Sequence, residues 1–308
     1  LDIKFLNMKR IFNPNNILAF VTVAREGSVS RAAEVLHLTQ PAISHQIKRL
    51  SEETGITLFR RTAHGLDLTA DGETLLPKAE QVLNAMADLR RIASTQSGQI
   101  SGKLRIGTIV DPEFIRLGQL LSVLKKNHPG IVTELVHGIS GEILDRLKRR
   151  TIDLGFYLCD PEEIGQIPSE QPLHTLKLAQ FDYRVIAPVG WEARVANASW
   201  AELAALPWIG TTPVSVHNRL LTKIFARHGV VQNSMALVDH EASMLEMVRS
   251  GVGLSLCRES IALHQRQAYG LTICETQRIP ACLCILALDA QKGVPIMAAL
   301  LDQLEAVW

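Results

Sequence analysis

The sequence predicts an α/β chain in three parts: a compact helical start closed by a hairpin, one long helix, and a larger region where strands and helices alternate. Three observations predict it. Apolar residues recur at helical spacing in short bursts over residues 15–60; from Leu75 to Ala93 they step by fours and threes without a break; from Gly102 onward apolar runs alternate with amphipathic stretches. The chain has 308 residues, 47% of them apolar and 20% charged, a composition that suits two or three domains with sizeable cores and excludes disorder. No window holds about 18 consecutive apolar residues, so no membrane-spanning helix and no membrane partner are expected. Leu1–Arg10 lacks the apolar run of a signal peptide, and a cytoplasmic protein is expected. Met8 offers a natural start, which would make Leu1–Asn7 an extension or vector remnant.

In the first part, Ile17, Leu18, Phe20, Val21 and Ala24 mark a helix that Gly27 closes. Ser28 is placed to cap a short helix through Ala32, Ala33 and Leu36. Thr39 is placed to cap another, with Pro41 in its first turn, where a missing N–H costs nothing. Ile43, Ile47 and Leu50 give that helix one apolar face, and Gly55 ends it. Helix, short helix, tight turn and helix within about forty residues is the helix-turn-helix plan, whose last helix enters the major groove of DNA. Its outward face carries Gln40, Ser44, His45 and Lys48, side chains suited to base edges and phosphates, although an ordinary solvated face has the same pattern. Leu58–Thr69 then reads as two short strands around a turn at His64-Gly65, a wing with Arg60 and Arg61 at its base. Adjacent strand residues point oppositely, so at most one of these arginines packs inward.

In the second part, Leu75, Ala79, Val82, Met86, Leu89 and Ala93 form a heptad seam that Leu76, Leu83 and Ile92 widen. A helix of about 25 residues is roughly 37 Å long, and a stripe of that length on a slender helix calls for a partner, most simply the same helix of a second subunit. Pro77 falls in its first turns, and Ser94–Gly102 reads as a linker.

In the third part, strand 103–109, helix 112–127, strand 131–137, helix 142–150 and strand 153–158 form a β-α-β-α-β run. An extended stretch covers 178–188. Helices follow over 200–206, 217–228 and 241–250, strands over 208–211, 235–238 and 253–257, then a late strand 281–288 and a closing helix 295–308. The sheet is expected to be mostly parallel, with ligands at the carboxyl ends of its strands. That rule selects Thr108 and Asp111 after the first strand, Ser140 at a helix N-terminus, Thr211 and Thr212 after strand 208–211, and Asp239 and His240 after strand 235–238. Hydroxyls beside helix N-termini favour a small ligand bearing a carboxylate or another anion. No arginine stands in these loops, so such an anion would rely on backbone N–H groups.

Residues 17–76 resemble the N-terminal domain of LysR-type transcriptional regulators. The match runs without gaps through Phe20–Ala24, Gly27–Ala33, Leu38–Ser44, Ile47–Leu50, Gly55, Leu58–Arg61, Gly65, Leu68-Thr69 and Gly72. The long helix and the α/β remainder fit that family in layout. The resemblance implies a winged helix-turn-helix over residues 1–69, a dimerising linker helix over 70–97, a hinge at 98–102 and an effector-binding domain over 103–308. The last would be periplasmic-binding-protein-like, with subdomain I over 103–170 and 279–308, subdomain II over 171–278, and crossovers near 168–177 and 271–279. It implies a self-associating regulator, a dimer through the linker helix and commonly a tetramer, that binds interrupted palindromes in double-stranded DNA and changes its bending when a small effector binds, with RNA polymerase as a further partner. Gln40 and Ser44, with His45 beside them, are the expected base-edge contacts. Lys48, Arg31, Arg60 and Arg61 are the expected phosphate contacts, and Thr39 and Pro41 at the helix start complete the DNA-facing set. Thr108, Ser140 and Thr211 match the family's usual hydroxyl positions in the effector cleft.

The whole-chain charge of +1 hides segregation: residues 1–69 hold nine bases against six acids, and residues 103–308 hold 20 against 21. The expected DNA-binding part is therefore modestly basic. The five cysteines, Cys159, Cys257, Cys274, Cys282 and Cys284, lack metal-ligand or redox spacing and are expected to be small buried hydrophobes. No metal or cofactor is expected, and neither is catalysis, since no GxSxG, P-loop or GxGxxG is present. The alternatives are a ligand-binding sensor that has lost DNA binding, or a redox-sensing regulator.

Overall fold

The computed structural model describes residues 12–62, 65–94, 100–109 and 111–308, apart from the side chains of residues 65, 88 and 90–94. The expectations placed on Leu1–Asn7, Met8, His64, the seam positions Ile92 and Ala93, and the stretch 95–99 lie outside it. The chain divides near residue 96 into two compact units.

The first unit is built by its caps. Helix α1 (Pro14–Glu26) starts where the Asn13 side chain accepts the Asn15 N–H, and it ends at Gly27. Helix α2 (Val29–Val35) is capped by Ser28, which accepts the Arg31 N–H, and α3 (Gln40–Thr54) by Thr39, which accepts the Ala42 N–H. Phe20 and Ile43 are fully buried between the three helices. Strands β1 (Phe59–Thr62) and β2 (Gly65–Leu68) form an antiparallel ribbon, Phe59 opposite Leu68 and Thr62 opposite Gly65, and the Phe59 ring meets Phe20 edge-on at 5.5 Å. Helix α4 (Ala70–Ser94) begins where the Thr69 hydroxyl accepts the Gly72 N–H and donates to the Thr57 carbonyl. Gly72 is required there, because a Cβ would stand 2.2 Å from the Leu58 carbonyl oxygen. The seam of α4 divides in two. Leu75, Leu76, Ala79 and Leu83 pack on the core of α1 and α3, whereas Val82 and Leu89 remain 44% and 68% exposed.

The second unit holds β3 (Ser101–Thr108), α5 (Leu117–Asn127), β4 (Gly130–His137), α6 (Ser140–Lys148), β5 (Leu154–Cys159) and β6 (Leu173–Ala187). Then come α7 (Glu192–Val195), α8 (Trp200–Ala205), β7 (Pro207–Gly210), α9 (Val216–Arg227), β8 (Asn233–Leu237), α10 (Glu241–Arg249) and β9 (Ser255–Arg258). Helix α11 (Glu259–Tyr269), strand β10 (Thr272–Leu288) and helix α12 (Pro295–Val307) complete it. The main sheet has six strands in the order β4-β3-β5-β10-β6-β9, and β7 and β8 pair separately. One core gathers under β3, β5 and the end of β10; a second gathers around Tyr183, Val185, Trp208 and Phe225.

Several expectations change. The sheet is mixed rather than mostly parallel: β4, β3 and β5 run together, but β10 pairs antiparallel with β5 and β6, and β6 with β9. The cause is the crossover between the two cores, which is made by the paired long strands β6 and β10. Leu173–Phe181 of β6 lie against the first core and Tyr183–Ala187 belong to the second and its neighbour. The helix expected from Pro112 starts at Leu117, because Arg116 turns left-handed (φ 47°) ahead of it. The sequence does not single out helix α11: its fully buried positions are Ala262 and Gln265, with Ile261 packed beside them, too little apolar signal to show a period.

Candidate functional site

The first unit presents a polar surface on α3 and its ribbon. Thr39, Gln40, Pro41, Ser44, His45 and Lys48 are all exposed, while Ile43 and Leu50 on the opposite face are buried. Lys48 lies 3.8 Å from Glu52 one turn on, a weak contact that leaves its ammonium in solvent. Arg60 and Arg61 are both exposed, so neither packs inward. Arg31 is exposed too, but its guanidinium donates to the Glu26 carbonyl and ties α2 to the end of α1. The face thus offers an amide, a hydroxyl, an imidazole and several fixed cations, the groups that read base edges and grip phosphates.

In the second unit a cleft of about 580 Å³, part of it open to solvent, opens between the two cores. From the first-core side it is lined by Asp111, Phe114 and Ser140, and from the other by Tyr183, Thr211, His217, Asp239, Glu241 and Arg258, with Ile109, Leu158, Val216 and Met244 as apolar walls. Of the residues singled out by the strand-end rule, Asp111, Ser140, Thr211 and Asp239 line it. Thr108 does not: it is buried at the end of β3, 3.4 Å from His137 Nδ1. Thr212 and His240 also fall outside the lining.

The polar groups of the cleft differ in how far they are already partnered. Ser140 Oγ accepts the Leu158 N–H at 3.1 Å, and Gly141 N–H donates to the Val214 carbonyl at 3.1 Å. A side chain at Gly141 would collide with Val214. The Thr211 hydroxyl is buried with no partner among the described residues. Arg258 pairs with Asp111 and lies over the Phe114 ring at 4.1 Å, so an arginine does serve this cleft, contrary to expectation. It caps the carboxyl end of β9, one residue past the strand expected over 253–257. Tyr183 and His217 meet edge-on at 4.6 Å. Burial holds the His217 imidazole down at about 4 and pushes the Tyr183 phenol up. Burial likewise raises the Glu241 carboxyl, with Arg258 pulling it back. Further contacts cross between the two lobes: Arg219 donates to the Leu158 carbonyl at 2.8 Å, and Lys223 bridges to Asp160 and Glu162.

All five cysteines are buried free thiols. Cys159 and Cys284 bring their sulfurs within 3.9 Å inside the first core, away from the cleft lining. Among the described residues, no group of three or more His, Cys, Asp or Glu has the geometry of a metal site, and no helix is long and apolar enough to cross a membrane.

Comparison with known proteins supplies the context. A family profile described as "LysR substrate binding domain" matches residues 97–308, and one described as "Bacterial regulatory helix-turn-helix protein, lysR family" matches residues 14–73. The chain is 27% identical over 264 residues to the "RuBisCO operon transcriptional regulator" of Acidithiobacillus ferrooxidans, covering 85% of this chain and 82% of that one. It is 28% identical over 261 residues to the "HTH-type transcriptional regulator CbbR" of Rhodospirillum rubrum, covering 85% and 84%. In fold it is similar to full-length CbnR, solved in complex with its target DNA, with a TM-score of 0.64, 20% identity, and coverage of 96% of this chain and all of that one. With profiles of one family matching both units, residues 14–73 and 97–308, the chain belongs to the LysR family of transcriptional regulators, which join a DNA-binding helix-turn-helix to an effector-binding domain.

Proposed function

We propose that this regulator reads an operator through Gln40 and Ser44 of α3, with His45 beside them, while Lys48, Arg31, Arg60 and Arg61 hold phosphates. Thr39 and Pro41 set the helix start against the backbone. The carrying observation is the exposure of every one of these side chains, on α2, α3 and the neighbouring ribbon, while the opposite face of α3 is sealed. The protein acts in the cytoplasm as a dimer through α4, whose exposed Val82 and Leu89 continue a seam that its own chain covers only in part. Two half-sites then match the two-fold symmetry of the protein, giving an interrupted palindrome. Exposed Val132 and Leu135 on edge strand β4, and Met235 and Leu237 on β8, support a further contact between effector units and a tetramer. A small effector in the cleft of the second unit changes how the assembly bends DNA. CbnR, whose structure includes target DNA, supplies the analogy for the DNA step.

Fluorescence anisotropy tests this reading. Full-length protein should prefer a promoter-derived fragment over random DNA at physiological salt. Gln40→Ala or Ser44→Ala should erode that preference by about 1–3 kcal/mol per contact. Equal affinity for both DNAs would contradict it.

A further inference from the structure

Resting on the assignment of the cleft as the effector site, we propose that its ligand carries an ammonium group, as an amine or an amino acid, in place of the bare anion expected from its hydroxyls. Three acids line the cleft, Asp111, Asp239 and Glu241, against one arginine. Asp111 and Arg258 neutralise each other across the opening, and Arg258 is further held on the Phe114 ring. His217 is buried in the wall. Two carboxylates remain. Asp239 stands exposed at the rim, and Glu241 is half-buried and makes no direct hydrogen bond or ion pair among the described residues, its counter-charge being Arg258, which Asp111 already holds. A carboxylate drawn out of water with only a shared counter-charge is costly, and an entering cation repays that cost. A bare anion would add a further negative charge to an unbalanced site.

A second, independent observation points to a ligand in the same cavity. Thr211 is 4% exposed and its hydroxyl has no partner among the described residues. Native structures rarely leave such a group unmatched, and this one borders the cleft. The N-cap residue of α10, His240, makes no side-chain capping bond, so the first amides of that helix are left to donate to the carboxylate of an amino-acid ligand. An ammonium at Glu241, an aliphatic stem on Met244 and Val216, and, for an amino acid, a carboxylate at Thr211 fill these vacancies.

Thermal shift and calorimetry on the full chain, with two panels of matched carbon skeletons, test this. One panel holds the standard amino acids and short aliphatic diamines; the other holds the 2-oxo acids and dicarboxylates of the same skeletons. Stabilising compounds should come from the ammonium panel. Glu241→Gln should weaken their binding on the order of tenfold or more, and Glu241→Asp less. Without ligand, Glu241→Gln should keep or raise Tm, since it removes a half-buried charge that Arg258 compensates only in part. Thr211→Val should weaken an amino acid but not a diamine, which tells the two sources apart. Stabilisation by the acid panel alone, by neither panel, or by amines indifferent to Glu241→Gln overturns the proposal. An acid lost in Thr211→Val would spare the cleft assignment, whereas a compound indifferent to both variants binds elsewhere and contradicts that assignment as well.

Discussion

His217 carries a pH-dependent share of stability. Its imidazole is held neutral by burial, with a folded value of about 4 against an ordinary 6.5. The unfolded chain therefore binds more protons between those values. The contribution is complete above pH 6.5 and is lost as pH falls toward 4, a span of about 3 kcal/mol at most. Urea denaturation across that range should show the slope, and His217→Phe should flatten it; an unchanged slope would mean another group is responsible. Gly72 gives a steric test. With a Cβ 2.2 Å from the Leu58 carbonyl, Gly72→Ala should cost about 1–3 kcal/mol and lower the Tm of the first unit, and an unchanged Tm would contradict the close packing. At this scale the sequence showed the caps well, because Ser28, Thr39, Gly27 and Gly55 act on their own neighbours. It did not show Arg258, Glu241, Tyr183 or His217 as one constellation. They lie on β9, α10, β6 and α9, and only the fold brings them to one cavity. The signal that reached Asp239 would have reached Glu241 two residues later, and Arg258 at the end of its strand.

Among the elements, α3 and α4 carry the tests. Lys48 points from α3 into solvent with only a distant carboxylate. Lys48→Ala should weaken binding to every DNA alike and reduce the slope of log affinity against log salt by about one. A changed choice of operator would contradict its assignment to a phosphate. Helix α4 leaves Leu89 68% exposed. Leu89→Glu should shift the protein toward monomer in light scattering and lower operator affinity by roughly 100-fold or more, because two linked half-site contacts become one. A dimer that persists would place the subunit contact elsewhere. The heptad spacing announced this helix plainly, yet spacing alone did not divide its seam between the chain's own core and a partner. That division depends on where α1 and α3 come to rest. Helix α11 stayed hidden because alanine and glutamine fill its most buried positions and a single isoleucine, Ile261, packs beside them. The mixed sheet stayed hidden because direction along β10 is set by its long return beside β6, a non-local pairing that no local pattern encodes.

For the whole molecule, net charge is a poor guide and its distribution a good one. The first 69 residues carry the basic excess, and the effector unit is slightly acidic overall, with acids outnumbering bases inside its cleft as well. A weakly basic reader gains little from nonspecific attraction, so base contacts and pairing of subunits must supply the operator grip. The most direct measurement is selection from a random double-stranded DNA pool by the full-length protein at physiological salt, followed by titration of the enriched sequence. The expected result is a two-fold related pair of half-sites bound about 1,000-fold or more tighter than random DNA, a preference that Gln40→Ala and Ser44→Ala erode. A pool that emerges without a common motif, or a motif bound equally well by both variants, would contradict the assignment of α3 as the element that reads DNA.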